Sequence, residues 1–213
     1  TIDEWMEVVE RDYNHPCIVT WVPLNESWGV PFISVDRRQQ EFSQTLYHLL
    51  KSFDSTRLVV GNDGWEMTET DLCAIHNYDH GEKNDEKAHA KFRESLSCRE
   101  ELLYTYTAGR KSFVDGWKDR GQPVLLTEFG GISFAEQDDK AWGYTCIRDG
   151  AELEKEYERI LDAICASDSI AGFCYTQLAD VEQETNGLLT CDRVPKIRTE
   201  IIRKINDRVN KKR

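Results

Sequence analysis

Two glutamates lie where apolar runs of the sequence end, and both are candidates for proton transfer or nucleophilic attack. Glu26 follows the run at 17–24, and Glu128 lies near the end of the run at 123–129. A carboxylate at the end of a buried strand is costly unless it is paired or hydrogen-bonded, so such groups point to function. Glycoside hydrolysis needs two such carboxyls, one to protonate the leaving oxygen and one to attack or stabilise the anomeric carbon. Taken alone, either glutamate could equally be a helix cap or part of a structural ion pair.

Aromatic and polar side chains accompany the two glutamates at the ends of the predicted strands. They are Asn25, Trp28, Trp65, His76, Tyr78 and Tyr175. Aromatic faces can stack on the apolar faces of sugar rings, while amides and imidazoles can hydrogen-bond hydroxyls. This set therefore predicts a carbohydrate site, although for Trp28 and Trp65 a place in the core is an equal alternative. His76 and His80 are four residues apart at a strand end and the sequence has no HExxH motif, so no metal and no cofactor is expected.

Five apolar runs alternate with helical patterns, which predicts an α/β fold with a parallel sheet. The runs cover residues 17–24, 57–62, 72–77, 123–129 and 170–177. Most are continuous rather than alternating, as expected of strands covered on both faces. Helix-period stripes cover residues 3–13, the segment after the N-cap candidate Asp36, 153–164 and 197–209. Ligands of such folds bind at the carboxyl ends of the strands, where the candidate residues lie.

The connection between the third and fourth runs is unusually long and highly charged. It covers residues 79–122, with one helix predicted around 86–103 and a second, shorter segment near 112–118. A connection of this length usually carries an extra surface element over a site. With no repeat and no low-complexity linker, one structural unit is expected.

The composition excludes several classes of function. The 213 residues include 39 acidic and 27 basic side chains, for a formal charge of −12, which argues against nucleic-acid binding. With 39% hydrophobic and 31% charged residues the chain is typical of a globular protein, and no apolar run is long enough to suggest membrane contact.

Seven cysteines without CxxC spacing, several of them in apolar runs, predict buried thiols in a reducing compartment, hence a cytoplasmic protein. The chain opens on Thr1 without an initiator Met, so a leader sequence could precede it.

Four ordered motifs resemble glycoside hydrolase family 2, which contains the β-galactosidases and β-glucuronidases. They are residues 14–21 (NHPCIVTW), the pair Asn25-Glu26, residues 127–130 (TEFG) and residues 187–196 (GLLTCDRVPK). The resemblance implies a (β/α)₈ TIM-barrel catalytic domain. Residues 1–213 would be its C-terminal portion, a partial barrel of about five βα units that holds strands four to eight. The upstream strands and β-sandwich domains would lie outside the chain, so the missing N-terminal half, or self-association, is expected to complete the fold.

The resemblance also implies a role for each matching residue. Glu26 would be the general acid/base and Glu128 the nucleophile of a retaining enzyme that works by double displacement. Asn25 would bond the 2-hydroxyl of the sugar, and Tyr78 would bond and orient the nucleophile. The partner of the chain is then a carbohydrate substrate.

Two departures from the family pattern bear on the choice of sugar. Tyr175 stands where the family usually places a tryptophan, so it would offer a smaller stacking face. The glucuronidase branch reads the sugar carboxylate with an Asn-x-Lys pair, but the corresponding stretch here is Glu184-Thr185-Asn186, without the lysine. Together with the acidic net charge this predicts a neutral, galactoside-like sugar.

Two alternatives remain open from the residues alone. The chain could be a catalytically inactive piece, or a carbohydrate-binding α/β domain that needs the rest of the barrel, because five strands leave sheet edges unpaired. An unrelated nucleotide-binding α/β domain is disfavoured, since no GxGxxG or GxxxxGK[ST] motif follows a predicted strand.

Overall fold

A computed structural model describes residues 1–134 and 143–208 as an α/β structure. The helices are α1 Ile2–Asp12, α2 Arg37–Phe53, α3 Glu86–Ser95, α4 Arg99–Tyr104, α5 Gly150–Ala166 and α6 Thr199–Asn206. The strands are β1 Thr20–Trp21, β2 Leu58–Val59, β3 Cys73–His76, β4 Val124–Glu128, β5 Ile132–Ser133, β6 Thr145–Cys146 and β7 Ile170–Phe173. The chain divides into unit 1, Thr1–His76 with Leu103–Thr127, and unit 2, Asn77–Leu102 with Glu128–Arg213.

The strands of unit 1 bring their carboxyl ends side by side. β1 and β2 pair in parallel, with Trp21 opposite Val59, and β3 lies beside β4. Past the end of β2, the amide of Asp63 donates to the carbonyl of Leu24 at 2.9 Å, which extends the pairing of β1 and β2. The carboxyl end of the β1–β2 pair therefore presents the residues that follow these two strands, among them Glu26 and Asp63.

Two helices cover the strands of unit 1 because their apolar positions recur at helical spacing. α2 begins after Asp36, whose side chain accepts a hydrogen bond from the amide of Arg38 at 2.9 Å, as an N-cap does. One hydrophobic cluster joins both helices to the strands and consists of Val9, Trp21, Tyr47, Leu50 and Val59. Burial of this apolar surface holds β1 and β2 in place beneath the helices.

Unit 2 is built around α5 and the short parallel pair β5–β6, in which Ile132 lies opposite Thr145. α5 begins at the N-cap Asp149 and buries an apolar stripe that includes Leu153, Ile160 and Leu161. The segments after β4 and β7 run together, because Thr176 donates from its amide to the carbonyl of Phe129 at 2.9 Å and forms a parallel bridge with Gly130.

The predicted strands and helices are found at their positions, with several corrections of extent. All five strands are present but short, because the main chain bends into turns soon after each pairing begins. The single helix predicted around 86–103 is two helices, α3 and α4, interrupted at residues 96–98, and residues 112–118 form turns and an isolated bridge at Phe113. The part of the predicted C-terminal helix beyond residue 208 lies outside the described residues.

The burial of the cysteines differs from the prediction. Cys73 is buried, but Cys17 and Cys174, both in apolar runs of the sequence, are exposed, as are Cys98 and Cys191. Cys17 lies in a turn ahead of β1 and Cys174 follows the last residue of β7, so neither is held in a strand that packs against the core. Within the described ranges, none of the helices combines the length and apolar character needed to cross a bilayer.

A buried carboxylate fixes the turn between α2 and β2. Asp54 accepts hydrogen bonds from the indole of Trp21 at 3.0 Å, from Thr56 and from the guanidinium of Arg57 at 2.6 Å. Burial by itself would raise the pKa of Asp54, but the donated bonds outweigh it and hold the pKa below its usual value. Asp54 is therefore ionised at neutral pH and stabilises unit 1 in that form.

We expect Asp54→Asn to lower the free energy of unfolding by about 3 kcal/mol at pH 7, because it leaves the partly buried guanidinium of Arg57 without its charged partner. The matched control Asp115→Asn removes an exposed carboxylate and should change it by less than about 0.5 kcal/mol. Because the pKa of Asp54 is lower in the folded than in the unfolded protein, its contribution is complete at neutral pH and is lost as the pH falls below about 4. Urea denaturation at pH 7 and pH 3 measures both effects; equal losses for the two variants at pH 7 would contradict the assignment.

Candidate functional site

Glu26 lies in a sharp turn after β1 that a buried hydrogen-bond network holds in place. Glu26 and Ser27 adopt left-handed backbone conformations, with φ of 53° and 59°, which are costly for residues other than glycine. The amide of Ser27 donates to Asn62 at 3.1 Å, and its hydroxyl donates to the buried carboxylate of Glu66 at 2.6 Å. Arg110 donates to both oxygens of Glu66, at 3.1 and 2.9 Å. These bonds compensate for the strained turn and fix the direction of the Glu26 side chain.

The imidazole of His76 is the closest described polar partner of Glu26 within unit 1. Its Nδ1 lies 2.8 Å from Oε1 of Glu26, and its Nε2 lies 3.3 Å from Oδ1 of Asp63. Asp63 in turn accepts a hydrogen bond from the hydroxyl of Thr127 at 2.5 Å. The ends of β1, β2, β3 and β4 thus each supply one member of a connected polar group.

Glu128, the last residue of β4, is held in unit 2 by a tyrosine. The hydroxyl of Tyr78 donates to Oε2 of Glu128 at 2.7 Å, and the ring of Tyr78 stacks on Tyr144, with ring centroids 3.9 Å apart. Burial raises the pKa of Tyr78 above its usual value, and the adjacent carboxylate of Glu128 raises it further. The phenol therefore keeps its proton and remains a hydrogen-bond donor to Glu128.

The backbone after Glu128 is shaped by close packing against two rings of unit 2. Gly130 has a φ of 95°, and a Cβ atom there would lie 2.2 Å from the ring of Tyr175. The hydroxyl of Tyr175 donates to the carbonyl of Asn186 at 3.1 Å and accepts from the amide of Ile132 at 3.3 Å. His80 is buried with Nε2 at 2.7 Å from the carbonyl of Gly130. Tyr175 and His80 thus hold the backbone after Glu128 in place, and this structural role accounts for their burial without a bound ligand.

A second polar cluster of unit 2 follows β7. The amide of Gln177 donates to Glu184 at 3.0 Å and to Asn186 at 2.8 Å. The amine of Lys196 donates to Asp180 at 2.6 Å and to the carbonyl of Thr185 at 2.7 Å. Burial lowers the pKa of Lys196, and the ion pair with Asp180 opposes that shift. Lys196 is therefore engaged in holding the turn.

The remaining predicted residues of unit 1 differ in accessibility. Trp28 is 76% exposed and Asn25 is exposed, so both are open to a ligand in this structure. Trp65 is only 9% exposed and sets its ring edge-on to His76, with centroids 5.6 Å apart. This burial favours a place in the core for Trp65, the alternative to a stacking face for the sugar. His76, expected to touch the sugar, is buried as well, with Nδ1 hydrogen-bonded to Glu26 and Nε2 facing Asp63.

Two participants were not among the predicted site residues. Asp63 lies in the turn Asn62-Asp63-Gly64, where an acidic residue is common for local reasons, so its type carried no signal. Tyr144, whose ring stacks on that of Tyr78, lies directly before β6, a short strand that no apolar run predicted. The bridge between Asn25 and Asp63 could have suggested Asp63 only once the pairing of β1 with β2 was known.

The sequence matches one protein-family model over residues 1–211, that of the glycosyl hydrolases family 2, TIM barrel domain. No curated protein is similar enough in sequence to match the chain.

Solved structures resemble the chain in fold at low sequence identity. A family 2 β-galacturonidase from Eisenbergiella tayi, bound to galacturonate, is 17% identical with a TM-score of 0.63 over 99% of this chain. A β-glucuronidase from Faecalibacterium prausnitzii is 21% identical with a TM-score of 0.65 over 99% of this chain. A β-glucuronidase from Ruminococcus gnavus in complex with D-glucuronic acid is 17% identical with a TM-score of 0.66 over 97% of this chain. The chain spans 36%, 34% and 35% of the length of these three structures, respectively.

Gly64 is required beside the ring of His76. Its φ is 98°, and a Cβ atom there would lie 2.7 Å from Nδ1 of His76. We expect Gly64→Ala to lower the free energy of unfolding by about 3 kcal/mol, from backbone strain and from displacement of the ring together.

Gly116→Ala is the matched control for Gly64→Ala. Gly116 has a similar φ of 94°, but nothing lies within 4 Å of its added Cβ atom, so only the backbone strain of about 1 kcal/mol is expected. Thermal and urea unfolding of both variants separate the cost of backbone strain, present in both, from the cost of displacing the His76 ring, present only in Gly64→Ala. Similar destabilisation by the two substitutions would show that the ring of His76 is not fixed against Gly64.

Proposed function

Because the chain belongs to glycosyl hydrolase family 2, as part of its TIM-barrel domain, we propose that it carries both catalytic carboxyls of a retaining β-glycosidase. The intact protein, rather than these 213 residues alone, would be the active species, because the chain spans about a third of the length of its structural relatives. In this proposal residues 1–213 hold barrel strands four to eight. The upstream strands would complete the barrel and the pocket.

The observation that carries the proposal is the hydrogen bond from Tyr78 to Glu128. A carboxylate that attacks carbon must be ionised and correctly turned, and a protonated phenol at 2.7 Å supports both conditions. Glu26, by contrast, bonds an imidazole through one oxygen, which leaves the other for a substrate. The two glutamates therefore differ in surroundings as their two roles require.

The reaction follows as a double displacement. A carboxylate oxygen of Glu128 forms a bond to the anomeric carbon while the glycosidic bond breaks, and the electron pair of that bond goes to the leaving oxygen, which takes a proton from Glu26. A water molecule then gives a proton to Glu26 and attacks the anomeric carbon, and the ester bond to Glu128 breaks with its electron pair. Asn25 is proposed to bond the 2-hydroxyl, and Trp28 to stack on the sugar.

We expect Glu128→Gln in the intact protein to lower kcat by at least about 10⁴-fold, because the amide cannot form the glycosyl ester. Glu94→Gln, on the exposed face of α3, is the matched control and should leave kcat unchanged. Steady-state hydrolysis of nitrophenyl glycosides measures both. A Glu128→Gln protein that keeps a tenth or more of the activity would refute the assignment.

A neutral sugar is proposed as the substrate, although the three structural relatives named above are two β-glucuronidases and a β-galacturonidase. The stretch before Gly187 carries the carboxylate of Glu184, which would repel a uronic acid. Lys196, a cation of the following motif, already pairs with Asp180 and is buried. A sugar carboxylate would thus be repelled by Glu184, and Lys196 would not be available to pair with it.

We expect kcat/KM for nitrophenyl β-D-galactoside to exceed that for nitrophenyl β-D-glucuronide and β-D-galacturonide by at least about tenfold, the equivalent of 1.4 kcal/mol. The isosteric change Glu184→Gln removes the charge and should narrow that ratio by raising kcat/KM for the uronides. Faster hydrolysis of either uronide by the unmodified protein would exclude the neutral-sugar proposal and leave the glycosidase assignment standing.

A further inference from the structure

His76 is held between two carboxylates inside unit 1. Its side chain is fully buried, with Nδ1 at 2.8 Å from Glu26 and Nε2 at 3.3 Å from Asp63. Buried imidazoles usually find backbone or hydroxyl partners, so a ring set between two acidic side chains needs an explanation. The protein itself supplies charged neighbours for both nitrogens, since Nδ1 is hydrogen-bonded to Glu26 and Nε2 faces the carboxylate of Asp63.

The end of β3 and the turn at residues 63–65 fix the orientation of this ring. His76 ends β3, Gly64 packs against one side of the imidazole, and Trp65 sets its ring edge-on to it. Asp63 is immobilised by its own contacts: its carbonyl accepts from the amide of Glu26 at 2.9 Å, and its carboxylate accepts from Thr127. The ring is therefore unable to turn away from Glu26 without disturbing the ends of several strands.

We propose that His76 is a positioning residue for the general acid/base and that Asp63 orients its imidazole; this inference rests on the proposed function. With a hydrogen on each nitrogen, as its place between two carboxylates requires, the ring donates from Nδ1 to Oε1 of Glu26 and presents its Nε2 hydrogen to Asp63. Oε1 of Glu26 accepts in both the carboxylate and the acid form. The proton that Glu26 transfers then resides on Oε2, the oxygen left for the glycosidic oxygen. Each half of the reaction uses the same geometry, because Glu26 returns as a base with Oε1 still held.

Positioning of an acid has a kinetic signature that general damage to the fold lacks. A phenyl glycoside has a basic leaving group that needs the proton, whereas 2,4-dinitrophenolate leaves without it. A misdirected Glu26 therefore slows the formation of the glycosyl ester from the phenyl glycoside but not from the 2,4-dinitrophenyl glycoside. Loss of stability or of the nucleophile slows both.

The test uses His76→Phe in the intact protein, which keeps a ring of similar size but removes both nitrogens. Rates are measured on phenyl and 2,4-dinitrophenyl β-glycosides of the sugar that reacts fastest in the panel above. We expect kcat/KM to fall about 10²-fold on the phenyl glycoside and less than about fivefold on the dinitrophenyl glycoside. His76→Asn, whose amide nitrogen can take the place of Nδ1, should recover part of the phenyl activity. Equal losses on both substrates, or no loss, would overturn the proposal.

Two further variants make the outcome decisive. Asp63→Asn preserves shape and the bond from Thr127, so it gives the answer even if His76→Phe fails to fold. A selective loss of activity on the phenyl glycoside supports the proposal, and an equal loss on both substrates overturns it.

Glu26→Ala is the reference variant for the proposed function. If Glu26→Ala lacks the selective loss, the acid/base assignment itself fails; if only the His76 and Asp63 variants lack it, the positioning role alone fails.

Discussion

A carboxylate at the end of a buried strand must have hydrogen-bond partners, and this requirement accounts for the arrangement at both candidate glutamates. Leaving such a charge without partners costs several kcal/mol, a large part of the stability of a domain. Glu26 is bonded by the imidazole of His76, the last residue of β3, and Glu128 by the phenol of Tyr78, in the segment that follows β3. The partners are themselves held, His76 by Asp63 and Tyr78 by stacking on an aromatic ring. The same contacts that make the carboxylates tolerable also give them different chemical character.

The motif at 187–196 acquires a structural meaning from these contacts. Gly187 approaches the backbone of Ala179 so closely that a Cβ atom would lie 2.4 Å from it, and its amide donates to Asp180. Lys196 closes the same turn through Asp180. Gly187 and Lys196 therefore shape the loop, while Glu184 and Asn186, both bonded by Gln177, supply polar groups beside it. Recognition of a sugar by this loop depends on residues that the turn positions.

Much of the fold was predictable because it depends on local patterns. The N-cap at Asp36 and the apolar stripe of α5 are local signals, and both helices begin and end near their predicted positions. The site was predictable only in its residue types. The burial of Trp65 and the link from His76 to Asp63 depend on which turn faces which strand end, and this is decided by tertiary pairing. No periodicity in the sequence records it.

The most direct test of the account is to trap the glycosyl-enzyme. The probe is a 2-deoxy-2-fluoro β-galactoside with a dinitrophenyl leaving group. Its fluorine slows both the formation and the hydrolysis of the glycosyl ester, whereas its good leaving group speeds formation alone, so the ester accumulates. After reaction with the intact protein, proteolysis and mass spectrometry locate the attached sugar. The account predicts one sugar per chain, bound through an ester to Glu128. A label on Glu26 or another side chain would contradict it, as would turnover with inversion at the anomeric carbon.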